Sequence, residues 1–508
     1  MDRLLVVDFG GQYSHLISRR IRDLGIYSQV VDPDEELLEV SRGQDIRGLI
    51  FSGGASSVYE EEAPSTSEAV LEAGVPILGI CYGHQLLAHM VGGEVLGEGS
   101  GEYGETDLTL QRSNTLLRGF EGNEIVWMNH KDKVLEMPAG YEVLASTANS
   151  PVAAFANEKE KIYGVQFHPE VTHTEHGMTV LENFALDICK ATAEWDPSHM
   201  AQDLVEEAKD AIGDRRAVIG LSGGVDSSTA ASVMDRAIGS NLTAVYVDTG
   251  LMRHNETQFI RESFSGRDLQ LQILDRRERF LEALEGVLDP EEKRKIVGNL
   301  FVEVFEEAAQ EVGAEVLVQG TIYSDRIESG LTQHSDTIKS HHNVGGLPAQ
   351  MELDLYEPLR NLYKDEVREV AAELGLPEEL RKQHVFPGPG LAIRIVGEVT
   401  PEKVEVVREA SRIVEQQLEE AGWYERVWMA FAVLLSIRSV GIQGDARSYK
   451  YPIVVRVVES EDAMTANFAK IPYDILEEIS TKITNEIPQV NRVVYDISNK
   501  PPSTMEWE

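Results

Sequence analysis

Cysteine is nearly missing from this chain of 508 residues; only Cys81 and Cys189 occur. Two cannot build a disulfide framework, so packing must hold the fold, and a reducing cytoplasm is the expected setting. No apolar run of about 18 residues is present, which leaves no candidate membrane span. The opening stretch, Met1 to Asp8, lacks the basic segment and the long apolar segment of a signal peptide. Positive charge is scarce: 46 Lys and Arg stand against 86 Asp and Glu, for a net charge of −40. Such a chain repels nucleic acid and anionic membrane, so neither is expected as a partner. The acid is spread along the chain among aromatic and β-branched residues, which favours a folded protein over disorder. Adaptation to molar salt, where a Debye length of about 3 Å screens repulsion, is one reading of that charge. A merely acidic soluble protein is the other. Where basic residues do cluster, they are expected to face something negative. Gly-Lys pairs are also absent, which excludes a Walker A loop.

What is present suggests about three domains by length. Leu4 to Gly10 reads as a buried strand. Residues 14–24 have helical spacing, with Leu16, Ile17, Ile21 and Leu24 on one side. Strand-like runs follow at Gln29 to Asp32 and Gly48 to Phe51, and this alternation predicts a parallel α/β sheet. The next strand runs into Gly79-Ile80-Cys81-Tyr82-Gly83, a nucleophile-elbow pattern with Cys in place of Ser. Small residues admit a strained turn there, and a helix N-terminus beside the thiol favours the thiolate. A buried structural cysteine is the competing reading; the flanking glycines favour the nucleophile. Such a nucleophile needs a base, and the base an orienting acid. His168 ends the strand-like run from Ile162 to Phe167, and Glu170 lies two residues on. His84, His130, His173 and His176 compete as bases. His173 and His176 have metal-like spacing but no further ligand pattern, and read as surface residues.

Residues 190–200 show no periodic pattern and read as a linker. A helix from Met200 to Gly213 and a strand from Ala217 to Leu221 lead into Ser222-Gly223-Gly224-Val225-Asp226-Ser227-Ser228. The glycines tolerate φ > 0 and let backbone N–H groups approach a bound group. The helix that follows presents unpaired N–H groups and its positive dipole end. With the Ser227 and Ser228 hydroxyls this makes an anion cradle; an ordinary Gly-Ser helix cap is the plain alternative. Without a lysine to reach the outer phosphates, the cradle suggests a use of ATP in which pyrophosphate leaves. Asn241 to Gly250 reads as the next strand and turn, which puts Asp248 at a carboxyl end near the loop. Asp289-Pro290 starts a helix. Lys293-Arg294-Lys295 within it is either a solvated face or a phosphate contact. Val316 to Thr321 is a further strand-to-turn, with Ser324-Asp325-Arg326 beyond. Residues 339–348 are polar, then Gly-rich, as in a mobile lid; His341 and His342 are weak evidence for metal. The remainder predicts strand 391–396, helix 401–421, strands 427–435 and 452–458, helix 474–486 and strand 490–497, a small α+β arrangement. The Pro-rich end from Lys500 on reads as a loose tail.

The elbow together with His168-Pro169-Glu170 resembles the class I glutamine amidotransferases. The resemblance implies that Cys81 attacks the glutamine amide, that His168 is the base and that Glu170 orients it. Tyr82 and Gln85 would then border the glutamine. Ser52-Gly53-Gly54 matches the oxyanion loop, so N–H groups near Gly53, Gly54 and after Cys81 would hold the oxyanion. Ala55 stands where many members have proline. Ser52 to Ser57 also mimics the second loop but lacks its Asp. Ser222 to Ser228 resembles the ATP pyrophosphatase loop. With Glu292 to Lys295, Gln319-Gly320-Thr321, the 339–348 stretch and Phe386-Pro387-Gly388-Pro389-Gly390-Leu391-Ala392, the whole chain resembles the glutamine-hydrolysing GMP synthase family. That family implies two parallel-sheet α/β domains, the second adenine-nucleotide α-hydrolase-like, and a small C-terminal α+β domain. The expected boundaries are 1–192 for the amidotransferase, 198–390 for the ATP pyrophosphatase and 391–508 for dimerisation and binding of xanthosine monophosphate (XMP). The implied ATP contacts are Ser222, Gly223, Gly224, Val225, Asp226, Ser227, Ser228 and Asp248, with Mg²⁺ at Asp226. The implied XMP contacts are Arg294, Gln443, Lys500 and Glu506, with Lys339 on the lid. The substrates would be glutamine, XMP and ATP, and the assembly a homodimer. Thr249 departs from the family, which often has Asn there. An NAD or asparagine synthetase-like enzyme would share the loop but not the tail and lid together. A non-enzymatic relative would be expected to have lost Cys81, His168 or Glu170.

Overall fold

The computed structural model describes all residues except 35–36, 61–62, 98–100, 197–199, 324–352, 444 and 461–464. Lys339 and the rest of the predicted lid, Ser324-Asp325-Arg326 and the predicted boundary at residue 198 therefore lie outside the described residues, as does the side chain of Gln443. The described residues divide into two compact units, one over Met1–Asp196 and one from Met200 onward.

A nine-stranded sheet organises the first unit. Its spatial order is Tyr27–Val31, Arg3–Val7, Ile46–Phe51, Ile77–Ile80, Ile162–Val165, Ala154–Asn157, Glu142–Ser146, Glu102–Leu110 and Asn123–His130. The first five strands are parallel. Leu4 and Val6 enter one core with Ile17 and Ile21, while Leu5 and Val7 enter another with Leu86 and Leu87. A strand buried on both faces has to be apolar throughout, which explains the unbroken run at Leu4 to Val7. The other four strands are joined antiparallel. In Asn123–His130 only alternate residues are well buried, the mark of a sheet with one covered face. The sequence expectation names the parallel half. Polar alternation hides the antiparallel half.

The second unit holds two sheets. The first is wholly parallel, in the order Gln270–Asp275, Leu242–Asp248, Ala217–Leu221, Val316–Val318 and Asp354–Tyr356. The second is built on the long strand Ala446–Glu459, which pairs with Met429–Leu435, Ser439–Gln443, Asn467–Phe468 and Val490–Tyr495. Helices Pro401–Glu420 and Tyr473–Glu486 cover one face of it. A single hydrophobic core runs from Val218 and Val245 through Leu391 and Val407 to Ile453 and Ile479, so both sheets share it.

Two local expectations change. Leu391 to Val396 is not a strand over its length; Gly390–Arg394 is a 3₁₀ turn and only Ile395–Val396 pairs. Gly390 has φ +61°, and a Cβ there would lie 2.4 Å from the Leu251 carbonyl oxygen, so this close approach bends the chain. Asp289 does cap helix Pro290–Val312 by accepting from the Glu292 N–H at 2.9 Å. Yet Lys293 is fully buried rather than on a solvated face.

Candidate active sites

In the first unit, strand Ile77–Ile80 ends and helix Tyr82–Met90 begins with Cys81 alone between them. Cys81 has φ +54°, a region that L side chains rarely adopt. Two glycines permit it. A Cβ at Gly79 would lie 2.4 Å from the Gly83 carbonyl oxygen, and one at Gly83 would lie 2.3 Å from that of Phe51. The Cys81 N–H donates to Val165 O and the Gly83 N–H to Ser52 O, each at 2.9 Å. Gly53 borders the same point: a Cβ built on it would be 3.8 Å from the Cys81 Cβ and 3.4 Å from the His168 Cε1. Gly54 lies against the Tyr82 ring and the Phe9 carbonyl.

His168 Nδ1 is 2.7 Å from Glu170 Oε1, and both residues are buried. Its Nε2 has no hydrogen-bond partner among the described residues. Burial alone would lower the imidazole pKa, but the Glu170 carboxylate and the Cys81 sulfur hold it well above its ordinary value. One ring nitrogen is thus locked and the other is open, as a base for the thiol requires. Tyr13 meets the ring edge-on at 5.2 Å. The competing histidines are engaged elsewhere. His84 is fully buried and bonds to Val152 O at 3.1 Å; burial pushes its pKa down to about 3. His130 bonds to Asp132 O and Glu102, His176 to Glu124, and His173 packs on Trp127. Gln85 donates to Asp132 O at 2.7 Å and to Gln166 Oε1 at 3.2 Å. Among the described residues Asp132 Oδ1 is buried without a partner, a feature no sequence pattern marks.

In the second unit, Ser222-Gly223-Gly224 joins strand Ala217–Leu221 to helix Val225–Ile238. Gly223 has φ +81°, and a Cβ on it would lie 2.1 Å from Glu256 Oε1. The Ser222 N–H donates to Ser227 Oγ at 3.2 Å, and Ser227 Oγ donates to Gly224 O at 3.2 Å, so the serine braces the turn. Ser228 Oγ is buried with no partner among the described residues. From the next strand end, a Cβ at Gly320 would lie 2.9 Å from Ser227 N; only glycine allows that approach. Asp248 does reach the same sheet edge. However, its Oδ1 accepts from the Gly250 N–H, and its Oδ2 from Thr257 and from both Arg277 Nε and Nη2. Burial would raise its pKa, but the Arg277 guanidinium and the Thr257 hydroxyl keep the carboxyl below the usual range. Asp226 Oδ2 lies 2.5 Å from Lys364 Nζ, while its Oδ1 is buried with no partner among the described residues. That oxygen is a hard donor suited to Mg²⁺, which binds one or two carboxylates and completes its shell with substrate phosphates and water. Among the described residues no group of three or more His, Cys, Asp or Glu could hold a metal without such help.

The C-terminal tail, loose by its composition but argued to be ordered by the resemblance, is anchored. Arg456, fully buried in strand Ala446–Glu459, donates to Asp496 Oδ2 at 2.7 Å, Met505 O at 3.0 Å, Ser498 O at 3.2 Å, Ser503 Oγ at 3.1 Å and Thr504 O at 2.7 Å. Lys500 forms an antiparallel bridge with Ala466. Glu506 receives a two-pronged pair from Arg394, at 3.1 and 2.8 Å. Arg294 donates to the Glu508 carbonyl, and Lys293 to the Glu508 side chain. Burial lowers the Lys293 pKa, against the pull of Glu508. Arg294 and Glu506 thus meet the same tail that carries Lys500. Gln443 ends strand Ser439–Gln443, opposite Ala446.

Three family profiles match the chain: "Glutamine amidotransferase class-I" over residues 5–188, "NAD synthase" over 199–287 and "GMP synthase C terminal domain" over 416–507. A "GMP synthase [glutamine-hydrolyzing]" of Caldanaerobacter subterraneus subsp. tengcongensis is 50% identical, covering 100% of this chain and 99% of its own. Proteins of the same name from Aquifex aeolicus and Streptomyces coelicolor are also 50% identical; the alignments cover 99% and 100% of this chain, and 99% and 98% of theirs.

Proposed function

Because this chain belongs to the glutamine-hydrolysing GMP synthase family, we propose that Cys81, His168 and Glu170 release ammonia from glutamine, and that the Ser222–Ser228 loop holds the ATP. The chain is a ligase. It hydrolyses glutamine, uses ATP to adenylylate XMP and aminates the adduct to GMP, releasing AMP and pyrophosphate.

In the first unit, His168 Nε2 takes the thiol proton and the Cys81 sulfur attacks the glutamine amide carbon. The N–H groups at Gly53-Gly54 and at Tyr82 stabilise the oxyanion. His168 then delivers the proton to the departing nitrogen, and water cleaves the thioester. Gln85 and Asp132, whose Oδ1 has no partner among the described residues, suit the polar end of the glutamine. In the second unit, the C2 oxygen of XMP attacks the α-phosphorus of ATP, and pyrophosphate departs into the N–H cradle of the loop. Ammonia then displaces AMP, a far better leaving group than an oxygen of the base. Asp226 Oδ1 would hold Mg²⁺ together with phosphate oxygens, and the ion would offset the charge of the leaving pyrophosphate. In this reading Arg294, Gln443, Lys500 and Glu506 contact XMP. Asp248 supports the nucleotide by fixing the turn at Gly250. The second copy in a homodimer fits the apolar strip of Val440, Ile442 and Tyr449, exposed on paired strands. Ile442→Glu should lower the sedimentation coefficient; an unchanged value would remove that reading. The two free buried cysteines suit the cytoplasm.

The observation that carries the proposal is Cys81 in its left-handed turn beside a His168 whose Nδ1 is locked by Glu170. Cys81→Ala should abolish synthesis from glutamine and leave synthesis from added ammonium intact. Loss of both would sink the two-site scheme.

A further inference from the structure

Two buried titratable side chains of the first unit, Glu102 and His130, take no part in the chemistry at Cys81. We propose that they are positioning residues for glutamine: together they fix the main chain at Asp132, and with it the Gln85 amide and the Asp132 carboxylate that receive the polar end of the substrate. This rests on the reading of Gln85 and Asp132 as glutamine contacts.

Glu102 and His130 stand directly opposite each other on the paired strands Glu102–Leu110 and Asn123–His130. His130 Nε2 lies 3.2 Å from Glu102 Oε2, and its Nδ1 lies 2.8 Å from the Asp132 carbonyl oxygen. That carbonyl can only accept, so Nδ1 carries a proton and donates. An ionised carboxylate likewise only accepts, so a second proton sits between Nε2 and Oε2. It leaves the pair without net charge, the state that burial favours. Burial lowers the pKa of the ring, against the pull of Glu102. Two hydroxyls hold the carboxylate: Thr147 Oγ1 donates to Oε1 and Ser150 Oγ to Oε2, each at 2.7 Å. The Asp132 carbonyl takes a second bond, from Gln85 Nε2 at 2.7 Å. A chain of donors thus runs from Thr147 and Ser150 through Glu102 and His130 to the one oxygen that also fixes Gln85. The same strand end walls the reactive centre. Trp127 O accepts from the His168 N–H at 3.0 Å, and Asn129 O lies 3.7 Å from Cys81 Sγ.

Packing does not account for this pair. Val126 and Met128 hold the preceding inward positions of the strand, and both are apolar and buried. An apolar residue at position 130 would continue that face. A buried ionic pair is often no more stabilising than apolar residues of its size. What an apolar pair could not do is bond the Asp132 carbonyl. Asp132 Oδ1 is buried with no partner among the described residues. The α-ammonium group of glutamine supplies the cation such an oxygen calls for. A charge used for recognition has to be held in a narrow geometry by supporting hydrogen bonds, which is what the chain from Glu102 provides.

The test uses the full-length chain and measures glutamine hydrolysis. Glu102→Ala should raise the KM for glutamine about tenfold and hold kcat within about threefold. Glu102→Gln keeps an acceptor for Thr147 and a donor for the ring, so it should return the KM to within about threefold of the parent. Glutaramate, which has hydrogen in place of the α-ammonium group of glutamine, separates positioning from general damage. The parent should favour glutamine over glutaramate, and Glu102→Ala should lose about tenfold of that preference. Alkylation of Cys81 by iodoacetamide, which carries no such group, should run at the parent rate. A folded Glu102→Ala protein with the parent's KM for glutamine overturns the proposal. So does an equal loss on both substrates, or a slowed alkylation, since either marks general damage. Should Glu102→Ala not fold, Ser150→Ala decides. It takes one hydroxyl from Oε2 and should raise the KM about threefold; an unchanged KM overturns the proposal. A parent protein that hydrolyses glutaramate as readily as glutamine overturns the reading of Asp132 itself.

Discussion

Replacing Arg456 by Met removes the buried guanidinium that ties Asp496, Ser498, Ser503, Thr504 and Met505 to the centre of the C-terminal sheet. Taking one partner from a buried ion pair costs about 3–5 kcal/mol, because the other charge is left without compensation. Here the loss does not fall on the whole fold. Asp496 and the freed carbonyls regain water if residues 496–508 lift away, so the cost appears as undocking of the tail. At about 1.4 kcal/mol per factor of ten, docking should weaken by roughly two to three and a half orders of magnitude. Apparent affinity falls with the fraction of molecules in the competent state. The Arg394–Glu506 and Lys293–Glu508 pairs still favour docking, so a rise of about tenfold in the KM for XMP is a conservative expectation. Hydrogen exchange over residues 496–508 should accelerate in the same variant, and the labelling of Cys81 should not change. Arg456→Lys keeps the charge but not the planar fork, and should fall between the two. If Arg456→Met folds, exchanges its tail as slowly as the parent and keeps the KM for XMP within twofold, the reasoning is wrong.

The imidazole of His168 gives a pH signature. Its pKa is raised in the folded state, so its contribution to stability is fully present below the ordinary value of about 6.5 and is lost as pH rises through the folded value. Glu170→Gln removes the carboxylate that raises it. The melting-temperature gap between parent and variant should be widest near pH 6 and narrow toward pH 9, and a gap that ignores pH would refute the coupling. If the net charge of −40 reflects salt adaptation, the melting temperature should climb from low to molar KCl; a flat curve would leave only an acidic protein.

Much of the scaffold was readable because burial on both faces leaves continuous apolar runs, as at Leu4 to Val7 and Ala217 to Leu221. The elbow at Cys81 and the Asp289-Pro290 helix start were readable because local backbone geometry demands those residues. Other features depend on distant segments and leave no local trace. Arg456 sits among apolar neighbours in a strand, and its partners lie 40 to 49 residues away. Lys364 meets Asp226 across 138 residues. Lys293 reads as part of a basic surface run, and only the returning tail buries it. Asp248 was placed near the loop by its strand end, but the Arg277 that engages it comes from the next strand-to-helix turn. In each case the residue type was visible and the partner was not.

The core shared by the two sheets of the second unit bears on how this chain comes apart. Val407, Ile413, Ile479 and Ile483 are covered in common with Val245, Phe305 and Leu391. Neither sheet can open without exposing apolar surface that belongs to both, so unfolding couples them into one cooperative block. Calorimetry would then resolve melting by unit rather than by sheet. A fragment ending near Gly390 would leave part of that block raw, and a sticky, partly ordered species is what such a cut would yield.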